Sequence, residues 1–208
     1  PGTFSTSDFS TLTLDAQNNT NAVWIFQAAT TVITGAHSII VLSNGAQYSN
    51  VFWAIGTAAT LGPSSFFAGQ IIALTAVNVG TNAVLKGQAF AKTSMTFDGG
   101  ALVSQTASLN SFNLTIASCQ KFVAFAGTSV TFGSGSTFIA SGSVGVSPGT
   151  SITGAYQLNS GTTESNSVSA QACVYDLGTA FNAASVAKCQ YYLSSSELSG
   201  LTLKPGVY

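Results

Sequence analysis

The chain has 208 residues, 46% of them apolar, and carries 5 Lys, 6 Asp plus Glu and no Arg, for a formal net charge of −1 at pH 7. This apolar content supports a packed core and excludes a disordered chain. The small net charge and the absence of Arg, which can clamp a phosphate group with two hydrogen bonds, exclude nucleic acid or an anionic membrane as partners. The sequence also contains no run of about 18 apolar residues that could span a bilayer.

A tetrad of small and hydroxylated residues recurs along the chain. The copies are Ser10–Thr13, Thr30–Ile33, Thr57–Thr60, Thr75–Asn78, Thr93–Thr96, Thr128–Thr131, Thr150–Thr153 and Ser199–Thr202. On a strand, the second and fourth positions face one side and the third faces the other. The third position is apolar in every copy and predicts a core residue, so the second and fourth positions predict a flat, uncharged outward face. The alternative is that Thr simply suits exposed strands, although such strands normally also contain Lys and Glu.

Other strands are apolar on both faces. They are Trp24–Phe26, Phe52–Ile55, Ile71–Leu74 and Ala89–Ala91. A strand of this kind is covered on both faces, so we expect another element to lie over this side of the protein.

Three consecutive segments repeat one pattern, in which an apolar strand is followed by a tetrad, a turn and a further strand. The first two segments, Val51–Gly69 and Gln70–Gly87, have 19 and 18 residues, and the third begins at Gln88. This period is typical of one coil of a β-solenoid with three short strands per coil.

The predicted cover for the apolar strands is a helix over about 169–193. Apolar residues recur there at a spacing near 3.6, namely Ala172, Val174, Leu177, Ala180, Phe181, Ala184, Ala187 and Tyr191. The segment falls in the longest gap between tetrads, so we expect it to leave the coils, run alongside them and return.

Three cysteines allow at most one disulfide bond. Cys173 and Cys189 lie 16 residues apart in the predicted helix, too far along its axis to bond to each other. A bridge therefore uses Cys119, with Cys173 as the preferred partner, and three buried thiols are the alternative. A bridge, together with glycosylation acceptor patterns at Asn18 and Asn113, favours a secreted protein.

The acids do not suggest catalysis or metal binding. They are Asp8, Asp15, Asp98, Glu164, Asp176 and Glu197. Asp15 and Asp98 follow strand ends as turn residues do, and His37, the single histidine, lies in a turn-like stretch without a Ser/His/Asp set. Because the cysteines lack zinc-ligand spacing as well, we expect no enzyme, no cofactor and no metal.

Four motifs resemble the ice-binding protein family that has a discontinuous β-solenoid and a flanking α-helix. They are Leu12–Gln17 with Ala22–Gln27, Asn44–Ala46 with Asn50–Trp53, Val144–Gly154, and Leu201–Tyr208. The resemblance implies a mainly β fold formed by one domain over residues 1–208. The expected architecture is a right-handed β-solenoid of triangular cross-section, with one long α-helix packed alongside it.

The order of the motifs differs from the family's usual order. There, the Val-Gly-Val-Ser-Pro-Gly element and the helix come first, and Pro-Gly-Val-Tyr continues directly into Leu-Thr-Leu-Asp-Ala. In this chain Pro205–Tyr208 is last and Leu12–Ala16 is near the start. We therefore predict a circular permutation, in which a segment of about 104–117 joins the family's usual termini and Pro1 lies beside Tyr208.

In several family members a Thr-(Ala or Gly)-x-(Thr or Asn) motif marks the face that binds ice. Thr57–Thr60 and Thr75–Asn78 match it, whereas Thr93–Thr96 and Thr128–Thr131 carry Ser in the second place. The predicted ice-binding residues are Thr11, Thr13, Thr57, Ala58, Thr60, Thr75, Ala76, Asn78, Thr93, Ser94, Thr96, Ser129, Thr131, Ser151, Thr153 and Thr202.

The predicted function is adsorption to ice, with the ice crystal surface and its ordered water as partners. Such a protein would act as a secreted monomer that inhibits ice growth, causing thermal hysteresis, and inhibits recrystallisation. The alternative is a carbohydrate-binding or adhesin module. That module would need exposed aromatic rings, whereas Trp24 and Trp53 fall in the strands predicted to be covered.

Overall fold

A computed structural model of the chain describes residues 2–104, 116–135 and 137–208. In chain order the strands are β1 (Phe4–Thr6), β2 (Thr11–Asp15), β3 (Trp24–Ala28), β4 (Val32–Thr34), β5 (Ile39–Ser43), β6 (Val51–Ile55), β7 (Ala58–Leu61), β8 (Phe66–Ala73), β9 (Ala76–Val79), β10 (Val84–Ala91), β11 (Ser94–Phe97), β12 (Leu102–Ser104), β13 (Phe122–Ala126), β14 (Ser129–Phe132), β15 (Thr137–Ser141), β16 (Ser143–Val146), β17 (Ser151–Thr153), β18 (Tyr156–Leu158), β19 (Thr163–Ser165), β20 (Thr202–Leu203) and β21 (Gly206–Val207). The helix α1 (Val168–Ser185) follows β19, and 3₁₀ turns lie at Tyr48–Asn50 and Ala117–Cys119.

The strands form three columns in two sheets. One sheet, here called the tetrad sheet, has seven strands in the order β1-β4-β7-β9-β11-β14-β17. In the larger sheet, one run of strands is β18-β15-β12-β10-β8-β5-β2-β20, and we call it the third column. The helix-side column contains β21, β3, β6, β13, β16 and β19 together with the second halves of β8 and β10.

The mainly β class with parallel sheets and one helix is confirmed within the described part of the chain. The strand pairings recorded there are parallel, and all eight residues of β8 pair with residues of β10 that lie 18 positions later, from Phe66↔Val84 to Ala73↔Ala91. The same interval separates β7 from β9 and β9 from β11. These pairings are compatible with the predicted solenoid, whose right hand and triangular section stay predictions.

Third-position residues of the tetrads point into the core. Ala59, Val77, Met95 and Val130 are fully buried there, and Val32 is nearly so. Larger side chains from the other columns complete this core, with Phe26 stacked on Trp53 at 3.9 Å between ring centroids. The prediction that the third position faces inward is therefore confirmed for these five copies.

Helix α1 covers the helix-side column. Its buried residues Ala170, Cys173, Ala180 and Ala184 form a second apolar cluster with outward-facing strand residues, among them Ile25, Phe52, Ala54, Ile72, Phe90 and Phe125. The prediction that strands apolar on both faces are covered by a helix is confirmed. Three of the predicted contact residues, Ala172, Val174 and Tyr191, are instead exposed. The buried stripe of α1 passes through the neighbours of the first two, and Tyr191 lies beyond the end of the helix.

The bounds of the helix differ from the predicted 169–193. Ser167 caps the helix start by accepting a hydrogen bond from the Ala170 amide (3.1 Å). At the other end, Gln27 Nε2 donates to the carbonyls of Ala184 and Ala187, each at 2.8 Å. The chain then pairs with the C-terminal strand, since the Gln190 amide donates to Val207 O (2.9 Å). These contacts end the helix eight residues early.

The disulfide bond joins Cys119 to Cys173, as preferred from the sequence, with a Cα–Cα distance of 4.7 Å. Cys189 is free and partly buried. One premise was wrong, because Cys189 lies beyond the end of α1 rather than within it. The bridge ties the 3₁₀ turn at Ala117–Cys119 to the helix, where the Ser118 amide also donates to Asp176 Oδ2 (2.9 Å).

The two ends of the described chain lie against one stretch of residues. The Thr30 amide donates to Gly2 O (2.6 Å), while the Gln27 amide donates to Tyr208 O (2.9 Å). A permuted chain requires such an arrangement. Pro1, Asn113 and most of the predicted joining segment at about 104–117 lie outside the described residues, so the permutation stays a prediction.

An ionic cluster holds the start of α1 against the strands. The Glu164 carboxylate accepts hydrogen bonds from Lys121 Nζ, Ser167 Oγ and Ser169 Oγ. Burial raises the pKa of Glu164, but these hydrogen bonds and the Lys121 charge outweigh it and lower the pKa to about 2. The ionised carboxylate is therefore the form that stabilises this end of the helix.

This cluster predicts a specific loss of stability in acid. A depressed carboxyl pKa contributes stability that is present above pH 4.5 and is lost as pH falls towards 2. Glu164→Gln should therefore lower the thermal unfolding midpoint at pH 6 and have little further effect at pH 2. Thermal unfolding of both proteins at pH 6, 4 and 2 measures this. An equal destabilisation at all three pH values would contradict the assigned role of the charge.

Candidate functional site

One outward row of the tetrad sheet crosses all seven of its strands. This fourth-position row consists, in order of register, of Ser5, Ile33, Thr60, Asn78, Thr96, Thr131 and Thr153. Thr60, Asn78, Thr131 and Thr153 are exposed, and the Ile33 side chain is 44% exposed. Because neighbouring strands stack about 4.8 Å apart, the row is a regular line of short, uncharged side chains.

A second outward row runs parallel to the first. This second-position row contains Ala58, Ala76, Ser94, Ser129 and Ser151. Beside it, Thr57, Thr75 and Thr93 are exposed and stacked, with the Thr75 amide donating to Thr57 O (2.8 Å) and the Thr93 amide donating to Thr75 O (2.9 Å). The structure thus brings ten of the predicted residues onto one sheet and three more directly beside it, in a two-dimensional arrangement.

Glycines allow the backbones of adjacent coils to pack closely at the corners beside this face. Gly56 and Gly127 directly precede Thr57 and Thr128, and a Cβ atom at either glycine would overlap the carbonyl oxygen of a residue in the adjacent coil. Only glycine allows the backbones to approach so closely. The close stacking at these corners helps to hold the threonines in line.

The two rows contain no ionisable residue. At the sheet edge, beyond β1, Glu197 accepts a hydrogen bond from Ser5 Oγ (3.2 Å). The outward side of the third column is different, because Asp15 on β2 and Lys86 on β10 lie on it. The tetrad sheet therefore presents the less hydrated face, since charged groups bind water strongly.

Three predicted residues lie elsewhere. Thr11, Thr13 and Thr202 belong to the third column, where Thr13 pairs with Thr202 and Thr11 pairs with Ile39. Their placement on the tetrad face was wrong. Alternation of polar and apolar residues indicates which side of a strand faces the core, but it does not indicate which column contains the strand.

Sequence reasoning also missed two members of the fourth-position row. Ser5 lies on β1, which has no tetrad, and Ile33 lies in the Thr30–Ile33 tetrad but was left out of the predicted site as an aliphatic residue. The tetrad itself was the available signal for Ile33. For Ser5 there was none, because only the pairing of β1 with β4 places it in the row.

Several acids have structural roles in turns. Asp15 Oδ1 accepts hydrogen bonds from the Gln17 amide (2.9 Å) and Asn44 Nδ2 (2.8 Å), which lower its pKa. Asp8 Oδ1 accepts from the Ala36 amide (2.7 Å). Within residues 2–104, 116–135 and 137–208, no group of three or more His, Cys, Asp or Glu side chains could hold a metal ion. No helix of that part of the chain is long and apolar enough to cross a membrane.

Comparison with known proteins finds similarity to one family. Residues 2–103 match the family described as ice-binding-like. An ice-binding protein of Flavobacterium frigoris (strain PS1) is 40% identical over 74 residues, 36% of this chain and 27% of that protein. One from Nostoc sp. (strain HG1) is 41% identical over 85 residues, 39% and 31% of the two chains.

A third relative is a longer protein, and its match covers a larger part of this chain. Ice-binding protein 1 of Shewanella frigidimarina (strain NCIMB 400) is 37% identical over 94 residues, 44% of this chain and 10% of that protein. The matched part of this chain therefore spans less than a third of each of these three relatives. No solved structure matches the chain significantly. Over residues 2–103, this chain is similar to the ice-binding-like family.

Proposed function

We propose that this protein binds ice through the outward face of the tetrad sheet and thereby inhibits ice growth and recrystallisation. The observation that carries the proposal is the charge-free face itself, whose fourth-position row runs in register across seven strands. The relatives named as ice-binding proteins support it.

The chemistry of the rows suits ice as a ligand. Ice has neither a charge nor a pocket, so a binder needs a rigid surface that orders water before contact. The branched side chain of Thr is stiff about χ1, so little rotamer entropy is lost on adsorption. Its hydroxyl anchors a water molecule by a hydrogen bond, while its methyl group restricts how neighbouring water can orient.

Adsorption requires no bond to be made or broken. On this proposal the partners are the ice crystal surface and its ordered water, and the protein acts outside the cell as a monomer without catalysis, cofactor or metal. Adsorbed molecules pin the ice front, which then bulges between them and stops growing over a range of temperature.

The two tryptophans do not provide an aromatic platform for the carbohydrate-binding alternative. Trp24 and Trp53 are 0% and 1% exposed, and their indole N–H groups donate to the carbonyls of Leu203 (3.3 Å) and Ala68 (3.1 Å). Neither ring can stack on a sugar in this arrangement. The tryptophans therefore give no support to a sugar ligand.

A growing ice hemisphere tests the proposal. At micromolar concentration the protein is expected to enter the ice and to give single crystals a faceted shape, because it adsorbs to particular planes. The protein content of ice and liquid, together with the crystal outline, are the measurements. If the protein stays in the liquid and crystals grow as the round discs seen in buffer, the proposal is wrong.

A further inference from the structure

A groove with a volume of about 590 Å³ lies between α1 and the helix-side column. Its floor is formed by Ile72, Phe90 and Phe125, which are paired side by side on β8, β10 and β13. Its roof is formed by Val174, Leu177 and Phe181 of α1. The volume falls within the range of roughly 300–1,000 Å³ that is typical of small-molecule sites, and these six side chains are all apolar.

The groove is open along the side of the helix. Val174 is 40% exposed at its rim, and a Cβ atom built on Gly178 would meet no atom within 4 Å. Glycine inside a helix is destabilising relative to alanine. Here neither a positive φ nor a close approach of another backbone explains it. The absence of a side chain at Gly178 leaves the groove open.

Polar side chains line part of the groove. They belong to Lys92, Thr128, Ser147 and Asn182, of which Lys92 and Thr128 lie where the helix-side column leads into the tetrad sheet. Lys92 is the single charged residue among the described residues that line the groove, and no carboxylate lies among them. A ligand complementary to this surface has an anionic head and an apolar body.

We propose that the groove binds a single-chain anionic amphiphile of the fatty-acid type. The carboxylate would lie at Lys92, and the alkyl chain would lie between the apolar floor and roof. This site is separate from the two rows of the tetrad sheet, so the proposal does not rest on ice binding.

Titration with dodecanoate, below the concentration at which it forms micelles and at pH 7.5, tests this site. Binding should saturate at one molecule per protein in calorimetry, and amide resonances of residues 174–182, Lys92 and Thr128 should shift in NMR spectra. Dodecyltrimethylammonium, which has the same tail and a cationic head, should bind more weakly. Lys92→Gln should weaken dodecanoate binding by up to about fivefold, the effect of one exposed ion pair.

A matched pair of further variants separates the groove from the rest of the surface. Gly178→Leu should fill the open space and weaken binding at least tenfold, while the unfolding midpoint stays equal or rises. Lys86→Gln, in the third column, should leave binding unchanged. If Gly178→Leu does not fold, Val174→Trp at the rim serves the same purpose and should also block binding.

Several results would overturn the proposal. They are the absence of saturable dodecanoate binding, binding that Gly178→Leu or Val174→Trp leaves unchanged, and equal binding of the cationic amphiphile. Association with anionic vesicles without any binding of monomeric dodecanoate would identify a membrane surface as the partner, and would also overturn it.

Discussion

Replacing Thr60 with lysine is expected to reduce thermal hysteresis severalfold or more, with a change in unfolding free energy of no more than about 0.5 kcal/mol. Thr60 is exposed and lies between Ile33 and Asn78 in the fourth-position row. A lysine there has room to extend outwards, so folding is preserved. Its ammonium group keeps a tight hydration shell above the face and holds the neighbouring threonines away from the ice lattice.

The measurement compares thermal hysteresis at equal protein concentration with thermal unfolding of the same samples. Thr96→Tyr should have the same effect through bulk rather than charge. The matched control is Thr11→Lys, which places the same charge on the outward side of the third column. Phe67 is unsuitable as a control because it is fully buried, and a charge there would disrupt the core.

The pattern of results decides which face is used. Full activity in Thr60→Lys and Thr96→Tyr, with loss of activity in a folded Thr11→Lys, would show that the third column binds ice. Loss in all three would show that both faces contact ice. Only loss in the first two with activity kept in the third supports the tetrad sheet.

Removing the disulfide bond by the double change Cys119→Ala and Cys173→Ala is expected to lower the free energy of unfolding by about 2–4 kcal/mol. The two cysteines are separated by 54 residues, so the bridge strongly restricts the unfolded chain. Both are fully buried, where they also link α1 to the 3₁₀ turn at Ala117–Cys119. Urea unfolding of the oxidised protein and of the double variant measures the difference.

The third cysteine supplies the control. Cys189→Ser removes a free thiol beyond the end of α1 and should change the unfolding free energy by no more than about 0.5 kcal/mol. Near 0 °C the double variant should keep its ice activity, because the bridge does not contact the tetrad sheet. A double variant as stable as the original protein would show that the packing of α1 alone holds the helix in place.

The sequence by itself determined the features that depend on local patterns. Alternation with a period of two identified the third tetrad position, such as Val77 and Val130, as core. Strands such as Phe52–Ile55, which are apolar on both faces, indicated that another element covers this side of the protein. Each of these signals is contained within a few residues.

Only the tertiary structure decided which column each strand joins, and therefore which threonines share a face. The interval between paired strands is 18 residues from β7 to β9 but 27 from β4 to β7, although all three strands lie in the tetrad sheet, so the number of residues between tetrads does not indicate their column. Thr11 and Thr60 have the same local pattern and lie on different faces, because β2 pairs with β5 and β20 whereas β7 pairs with β4 and β9. The end of α1 was decided in the same way, by Gln27 binding the carbonyl of Ala184, which lies 157 residues away in the chain. Contacts between residues so distant are formed by the folded coils as a whole, and no local pattern encodes them.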